Sequence, residues 1–147
     1  MIRQATKYDI ENIIEMLKHF RDADKFGIVK QNNNRDYIVA VLSEILAGKG
    51  IIFIAEKEKP VGMLIAMIME SFWNPLNKEL HELAFWVEPE YRGGTHGFRL
   101  LKAYEQYGLE LKQQKRIDCF YVTKMVDSPD LKYNKFGFEK LEENWVQ

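Results

Sequence analysis

The segment VEPEYRGGTHGF, residues 87–98, constrains the fold of this chain more than any other stretch. It places Gly93, Gly94 and Gly97 between a strand-like run and a helix-like run. A turn needs fewer glycines, so this composition indicates a backbone that a bound group approaches closely. N–H groups at a helix start lack intrahelical partners and carry partial positive charge, which suits them to hold a phosphate. The alternative is a tight helix-entry turn with no ligand.

Neighbouring side chains could contribute to an anion site in this loop. Arg92 can add a charge-assisted hydrogen bond, and Thr95 can cap the helix or donate its hydroxyl to a phosphate oxygen. His96 is expected to act as a loop donor at most. The loop lacks the Gly-Lys-Ser/Thr of a Walker motif and the glycine spacing of a Rossmann turn.

Length and charge limit the function classes. The 147 residues suit one domain, residues 1–147, and 46% hydrophobic with 29% charged residues is typical of a globular protein. A formal net charge of -1 provides no global field for nucleic acid or an anionic membrane. We therefore expect neither as a partner, and any anion site must be local.

Cysteine and histidine usage gives further expectations. Cys119 is the single cysteine, which excludes an internal disulfide, and we interpret it as a core residue. The N-terminal residues lack the apolar core of a signal peptide, so a cytoplasmic location is expected. The apolar runs are shorter than the roughly 20 residues of a membrane helix. His19, His81 and His96 show no metal spacing, and we predict no metal.

Hydrophobic periodicity predicts an α/β (α+β) mixed sheet with helices on both faces. Thr6 and Asp9 have capping-box spacing before an amphipathic helix, and Gly48 closes a second helix. In chain order the predictions are a strand at 1–6, helices at 6–20 and 37–48, strands at 51–57 and 61–69, a break at 70–78, a strand at 81–87, a helix over 98–111, a strand at 116–123, a short helix at 128–137 capped by Ser128, and an extended segment at 138–147.

A second motif, YNKFGF, lies downstream at residues 133–138. Gly137 is predicted to be the left-handed residue that ends a helix, and Phe138 returns to the core. Tyr133 lies one turn earlier. Taken alone, a tyrosine there is more often a packed aromatic than a catalytic group.

Together the two motifs resemble the GNAT acetyltransferase superfamily, whose members transfer an acyl group from acyl-CoA, usually to an amine. The segment 87–97 is similar to the family's strand and Arg/Gln-x-x-Gly-x-Gly/Ala loop, and YNKFGF is similar to its Tyr-x-x-x-Gly-Phe. Thr95 stands where the family usually has its central glycine. VDSPD, residues 126–130, stands where the family often has an asparagine.

The resemblance implies a site for acetyl-CoA as co-substrate. The pyrophosphate would lie on the amides of Gly93, Gly94, Thr95, His96 and Gly97, beside Arg92. The pantetheine arm would pair along Phe85, Trp86 and Val87, where the two central parallel strands splay apart. A strand N–H would stabilise the oxyanion of a tetrahedral intermediate.

The resemblance also implies two catalytic groups. Glu82 is the candidate general base; Glu79 or His81 could replace it, and a solvated strand-end carboxylate is the alternative. Tyr133 would remain protonated and donate to the departing CoA thiolate.

The acceptor would lie between the 21–35 loop and residues 69–78. Phe72 and Trp73 could form an apolar wall, and Asp22, Asp24 and Glu70 could attract a cation. The alternative is a folded loop with two buried rings and solvated acids.

These expectations define an N-acetyltransferase that acts on a primary amine of a small molecule or a protein. One competing hypothesis is a catalytically silent GNAT-like module that binds CoA or a protein partner. A weaker one is a nucleotide-phosphate binder, which leaves YNKFGF unexplained. A homodimer through exposed strand edges is compatible with this fold.

Overall fold

The computed structural model describes residues 1–23, 25 and 34–147. In these ranges the helices are α1 (Ile10–Asp22), α2 (Arg35–Glu44) and α3 (His96–Gln113), and the strands are β1 (Ile2–Gln4), β2 (Gly50–Lys57), β3 (Lys59–Ser71), β4 (Asn74–Val87) and β5 (Cys119–Tyr121). A π-helical turn, Ile45–Lys49, follows α2, and its Gly48 has a positive φ of 119°, as predicted for a helix terminus.

The strands form one mixed sheet in the order β1-β2-β3-β4-β5. Neighbours are antiparallel from β1 to β4, whereas β4 and β5 are parallel. The parallel pairing covers Glu79–His81 against Cys119–Tyr121, while β4 continues to Val87. The two central strands therefore separate beyond His81 and Tyr121. We refer to this separation as the fork.

Helices cover both faces of the sheet, as predicted. Residues of α3 pack with Leu64, Leu80 and Phe120 in one core cluster. Residues of α1 and α2 pack with Ile54, Ile65 and Met67 in a second cluster on the opposite face. No helix within the described ranges is both long and apolar enough to cross a bilayer.

Helix α3 approaches the sheet closely at Gly108. A methyl group there would lie 2.6 Å from the Phe120 ring. Gly108 is therefore a packing requirement that brings α3 against β5.

The predicted break at residues 70–78 is wrong. Strand β3 continues to Ser71 and β4 begins at Asn74, so the two form one long hairpin whose tip is Phe72 and Trp73. These rings are 89% and 88% exposed and pack edge to face on each other. Register pairing continues through this polar stretch because backbone hydrogen bonds do not depend on side-chain polarity.

The C-terminal predictions also need correction. A 3-10 turn at Tyr133–Phe136 replaces the predicted helix over 128–137, and the Ser128 hydroxyl donates to Met125 O instead of capping a helix. Residues 138–147, all of them described, form no helix or strand. Gly137 does adopt the predicted left-handed conformation, with φ at 88°. Charged residues in the final segment leave it too few apolar contacts to define a strand.

The predicted capping box joins the N-terminus to the sheet. Thr6 N–H donates to Asp9 Oδ2 at 2.8 Å. The Arg3 guanidinium donates to both Asp9 oxygens and, through Nε, to Glu56 Oε2 at 2.8 Å. Arg3 thus links β1, the start of α1 and β2, and its hydrogen bonds lower the pKa of the buried Asp9 to about 2.

We expect Asp9→Asn to lower the free energy of unfolding at neutral pH by about 2 kcal/mol, because the folded state stabilises the Asp9 carboxylate. The depressed pKa stabilises the wild type above about pH 4, and this contribution is lost as pH falls towards 2. Urea denaturation across this pH range measures both effects. Glu11→Gln, which removes an exposed pair with Arg35, is the control and should change stability by less than about 0.5 kcal/mol. An acid-insensitive difference between wild type and Asp9→Asn would contradict this assignment.

Candidate active site

The Tyr104 side chain lies at the base of the fork. This α3 residue is fully buried, and its hydroxyl donates to the Tyr121 carbonyl on β5 and lies 3.4 Å from the Leu80 carbonyl on β4. A buried phenol needs such partners, since an unsatisfied hydroxyl is costly. Tyr104 therefore bridges both central strands at the end of their ladder.

Glu82 occupies the first position of β4 beyond the ladder. Its Oε2 accepts a hydrogen bond of 3.0 Å from the Thr123 N–H, across the fork. Burial raises the pKa of Glu82 to about 7, and the bond from Thr123 partly offsets this increase. A carboxyl group in this environment changes protonation state near neutral pH, as a general base requires.

Tyr133 faces the same region from the 3-10 turn. Burial raises its pKa to about 12, and the charge of Glu82 adds to the increase. The charge of Glu82 therefore acts on Tyr133, although 50 residues lie between them in the chain. The phenol remains protonated at neutral pH and can act as a donor.

The glycine-rich loop opens α3 as the sequence predicts. Gly93 has φ at 87°, a conformation that side chains disfavour. A methyl group at Gly94 would have open space, with Tyr91 O at 4.0 Å. Thr95 occupies the N-cap position without a side-chain capping hydrogen bond to the described residues. The backbone at the start of this 18-residue helix is therefore accessible to an anion.

Positive charge surrounds this loop despite the chain's net charge of -1. Burial lowers the pKa of His96, and the charges of the N-terminal amine, Lys57 and Arg99 lower it further. The buried Nδ1 of His96 has no hydrogen-bond partner among the described residues. His96 begins α3 and is not a loop residue. These features fit a local anion site.

The loop also contacts the segment that carries Tyr133. A methyl group at Gly97 would lie 3.6 Å from Leu131, and Phe98 stacks on Phe136 at 6.3 Å between ring centroids. The first turn of α3 therefore packs against the Tyr133 segment. One contact surface joins the two sequence motifs.

Phe85, Trp86 and Val87 line the part of β4 beyond the fork, and all three are half-buried. Phe85 and Val87 pack on the α3 side, whereas Trp86 packs on the α1 side against Phe20. Arg92 folds back onto this strand. Its Nε donates to Val87 O at 2.8 Å, and its guanidinium lies 4.4 Å from the Trp86 ring.

The remaining candidates are distributed over several places. Glu79 and His81 bind each other at 3.0 Å on the opposite face of the sheet from Tyr104, so Glu82 is the candidate carboxylate near Tyr133. Phe72 and Trp73 are exposed at the hairpin tip and not buried. Asp22 ends α1, and Glu70 pairs with Lys78. Asp24 and most of the predicted 21–35 loop lie outside the described residues.

Sequence reasoning missed the bridging function of Tyr104. Tyr104 falls on the same face of the predicted helix over 98–111 as Leu101 and Leu111. The available signal was a tyrosine among aliphatic residues on that face, since a buried hydroxyl requires an acceptor. The sequence alone does not indicate which carbonyls it would meet.

The sheet forks between two parallel strands, and a glycine-rich helix start lies beside the fork. This arrangement is typical of the acyltransferase class of proteins. The model of the acetyltransferase (GNAT) family matches residues 10–138. The chain belongs to the GNAT acetyltransferase family, which uses acetyl-CoA. Curated proteins gave no match.

Solved structures agree with this fold. A predicted acetyltransferase from Clostridium acetobutylicum, crystallised with acetyl-CoA, has a TM-score of 0.71 at 17% sequence identity, and the match covers 100% of this chain and 94% of that chain. Glucosamine-6-phosphate N-acetyltransferase from Arabidopsis thaliana has a TM-score of 0.69 at 17% sequence identity, and the match covers 100% of this chain and 96% of that chain. A Trypanosoma brucei acetyltransferase has a TM-score of 0.69 at 18% sequence identity, and the match covers 100% of this chain and 97% of that chain. At these identities the likeness establishes the fold and not the substrate.

Tyr104→Phe should loosen the fork locally. We expect amide hydrogen exchange in residues 79–82 and 119–123 to accelerate about fivefold, because one bridging hydrogen bond is worth about 1 kcal/mol. Tyr107→Phe is the matched control. It removes a 3.4 Å hydrogen bond to Gly50 O from the same helix, away from the fork. Equal exchange at the fork in both variants would exclude the bridging function.

Proposed function

We propose that this protein is an N-acetyltransferase that transfers the acetyl group of acetyl-CoA to a primary amine of a small molecule or protein. The observation that carries the proposal is Glu82 at the fork, whose pKa lies near 7 and whose charge acts on the protonated Tyr133. A base and an acid with separated pKa values are what amine acylation by direct attack requires.

The loop and the β4 edge support acetyl-CoA as the co-substrate. Open space at Gly94, the unpartnered His96 Nδ1 in the described structure and the surrounding cations fit a pyrophosphate. Beyond the fork, residues 85–87 leave one side of β4 unpaired by β5, which suits an extended pantetheine arm. Arg92 already donates a hydrogen bond to Val87 O, so a bound pantetheine arm would displace or share that bond.

Bound acetyl-CoA would supply an activated thioester carbonyl. Glu82, in its ionised form, accepts the proton of the attacking amine directly or through water. This step matters because an amine with a pKa near 10.4 is only about one part in 2,500 neutral at pH 7. Tyr133 donates its phenolic proton to the leaving thiolate. Holding the acid and the base in fixed positions beside the thioester would contribute to the rate.

The second candidate is a silent CoA-binding or protein-interaction module. The observation that favours it is the engagement of Arg92 with Val87 and Trp86, together with Thr95 in place of the usual glycine. A silent module has no need for a carboxyl group with a pKa near 7 beside a tyrosine. We therefore favour the active enzyme.

Calorimetric titration with acetyl-CoA tests the cofactor site, with dephospho-CoA and ATP as controls. We expect micromolar affinity in the wild type and at least tenfold weaker binding in Gly94→Val. The folded chain has room for a side chain at Gly94, so a loss of affinity would report on the ligand and not on folding. Wild-type protein that binds no acetyl-CoA would contradict the proposal.

The pH dependence of turnover tests the two catalytic assignments. Activity should rise with pH through about 7 in the wild type, because Glu82 must lose its proton to accept another. Glu82→Gln should abolish this acid limb and reduce turnover about 100-fold. Tyr133→Phe should reduce turnover while preserving the acid limb and the affinity for acetyl-CoA. Thiol release from acetyl-CoA with an amine panel is the assay, and an unchanged acid limb in Glu82→Gln would exclude Glu82 as the base.

A further inference from the structure

The last pairs of the β4–β5 ladder place four reactive side chains on one face of the sheet. Leu80 and Phe120 pack into the α3 cluster. Alternation along a strand therefore directs Glu79, His81, Cys119 and Tyr121 to the opposite face. Met67, the cross-strand partner of His81, packs with α1 and α2, which agrees with this assignment.

These four side chains contact one another. Glu79 Oε1 lies 3.0 Å from His81 Nε2, and the His81 ring stacks on Tyr121 with 4.5 Å between centroids and 19° between planes. The Cys119 thiol lies 3.4 Å from the Tyr121 hydroxyl and 3.9 Å from Glu79 Oε2. The result is a stack of two rings with the Glu79 carboxylate beside the His81 ring.

Glu79 differs from the nearby Glu70 in its ion-pair partner. Among the described residues its ion pair is with His81, which is charged only when protonated. Glu70, on the neighbouring strand, pairs with the permanent cation of Lys78 at 3.2 Å. Side-chain exposures of 22% for Glu79 and 34% for His81 leave both accessible to a ligand. The carboxylate of Glu79 is thus partly desolvated and available to a cation.

The position of this cluster connects it with the proposed reaction. His81 and Tyr121 form the last pair before the fork, and Glu82 directly follows His81 in β4. The loop for acetyl-CoA lies on the α3 side. The opposite face leaves a second route to the fork, and the His81–Tyr121 pair lies beside it at the end of the ladder.

We propose that Glu79, His81 and Tyr121 form an acceptor subsite that binds a second cationic group, so that the acceptors are linear diamines or polyamines. This inference rests on the proposed function. The Glu79 carboxylate would accept hydrogen bonds from the distal ammonium, and the stacked rings would pack against the methylene chain. The subsite binds and orients the acceptor, and no covalent bond changes there.

Matched pairs of amines test the wild-type enzyme. Each linear α,ω-diamine in a series of increasing length is compared with the monoamine of the same chain length, with acetyl-CoA saturating. We expect kcat/KM to be at least about tenfold higher for the best diamine, mainly through KM, as one charge-assisted contact would give. Equal values across all pairs would overturn the subsite.

Glu79→Gln links the preference to this residue. Glutamine retains an oxygen that can accept from His81 Nε2 but removes the negative charge. We expect the KM for the diamine to rise about tenfold, with the monoamine KM changed by less than about twofold. Glu15→Gln is the control, since Glu15 forms another carboxylate–imidazole pair, with His19 at 3.5 Å on α1. Equal losses for diamine and monoamine in Glu79→Gln would overturn the proposal.

Direct binding separates this inference from the proposed reaction. Calorimetric titration of the protein saturated with CoA measures diamine binding without turnover. Binding in the wild type that is lost in Glu79→Gln supports the subsite even if no amine is acetylated, an outcome in which only the proposed reaction fails. Diamine binding that is absent, or equal in both proteins, would overturn the subsite.

Discussion

The short parallel pairing between β4 and β5 is the constraint on which the rest of the site depends. A longer ladder would close the sheet and leave no unpaired edge on β4 beyond His81. Tyr104 stabilises the point of separation by bridging carbonyls of both strands from within the core. Gly108 allows its helix to approach β5 closely enough for this contact. The geometry of the site therefore depends on the packing of the core around Tyr104 and Gly108.

Desolvation gives the residues at the fork their chemistry. Glu82 lies beside Tyr104 and Tyr133 instead of in solvent, so its carboxyl remains partly protonated at neutral pH. Burial also raises the pKa of Tyr133, and the charge of Glu82 adds to this increase. Glu79, three positions earlier, points to the other face and meets His81. Two acids on one strand therefore have different environments, because the strand alternates its side chains between faces.

Local patterns predicted the fold class, the two layers of helices, the capping box at Thr6 and the left-handed Gly137. Such features depend on neighbouring residues, which hydrophobic periodicity and turn chemistry describe well. The predictions failed at residues 70–78, where polar composition suggested a break although β3 and β4 remain paired. They also failed after residue 127, where the local sequence favours a helix. There, tertiary contacts determine the backbone conformation, which is a 3-10 turn.

The sequence by itself determined the glycine-rich helix start, the Tyr133 motif and the family to which both point, because each is a short contiguous pattern. Tertiary structure decided which carboxylate accompanies Tyr133, why Tyr104 matters and how His81 stacks on Tyr121. These relations join residues far apart in the chain. Their geometry follows from strand register and from the residue at which the ladder ends, and no local sequence pattern encodes either.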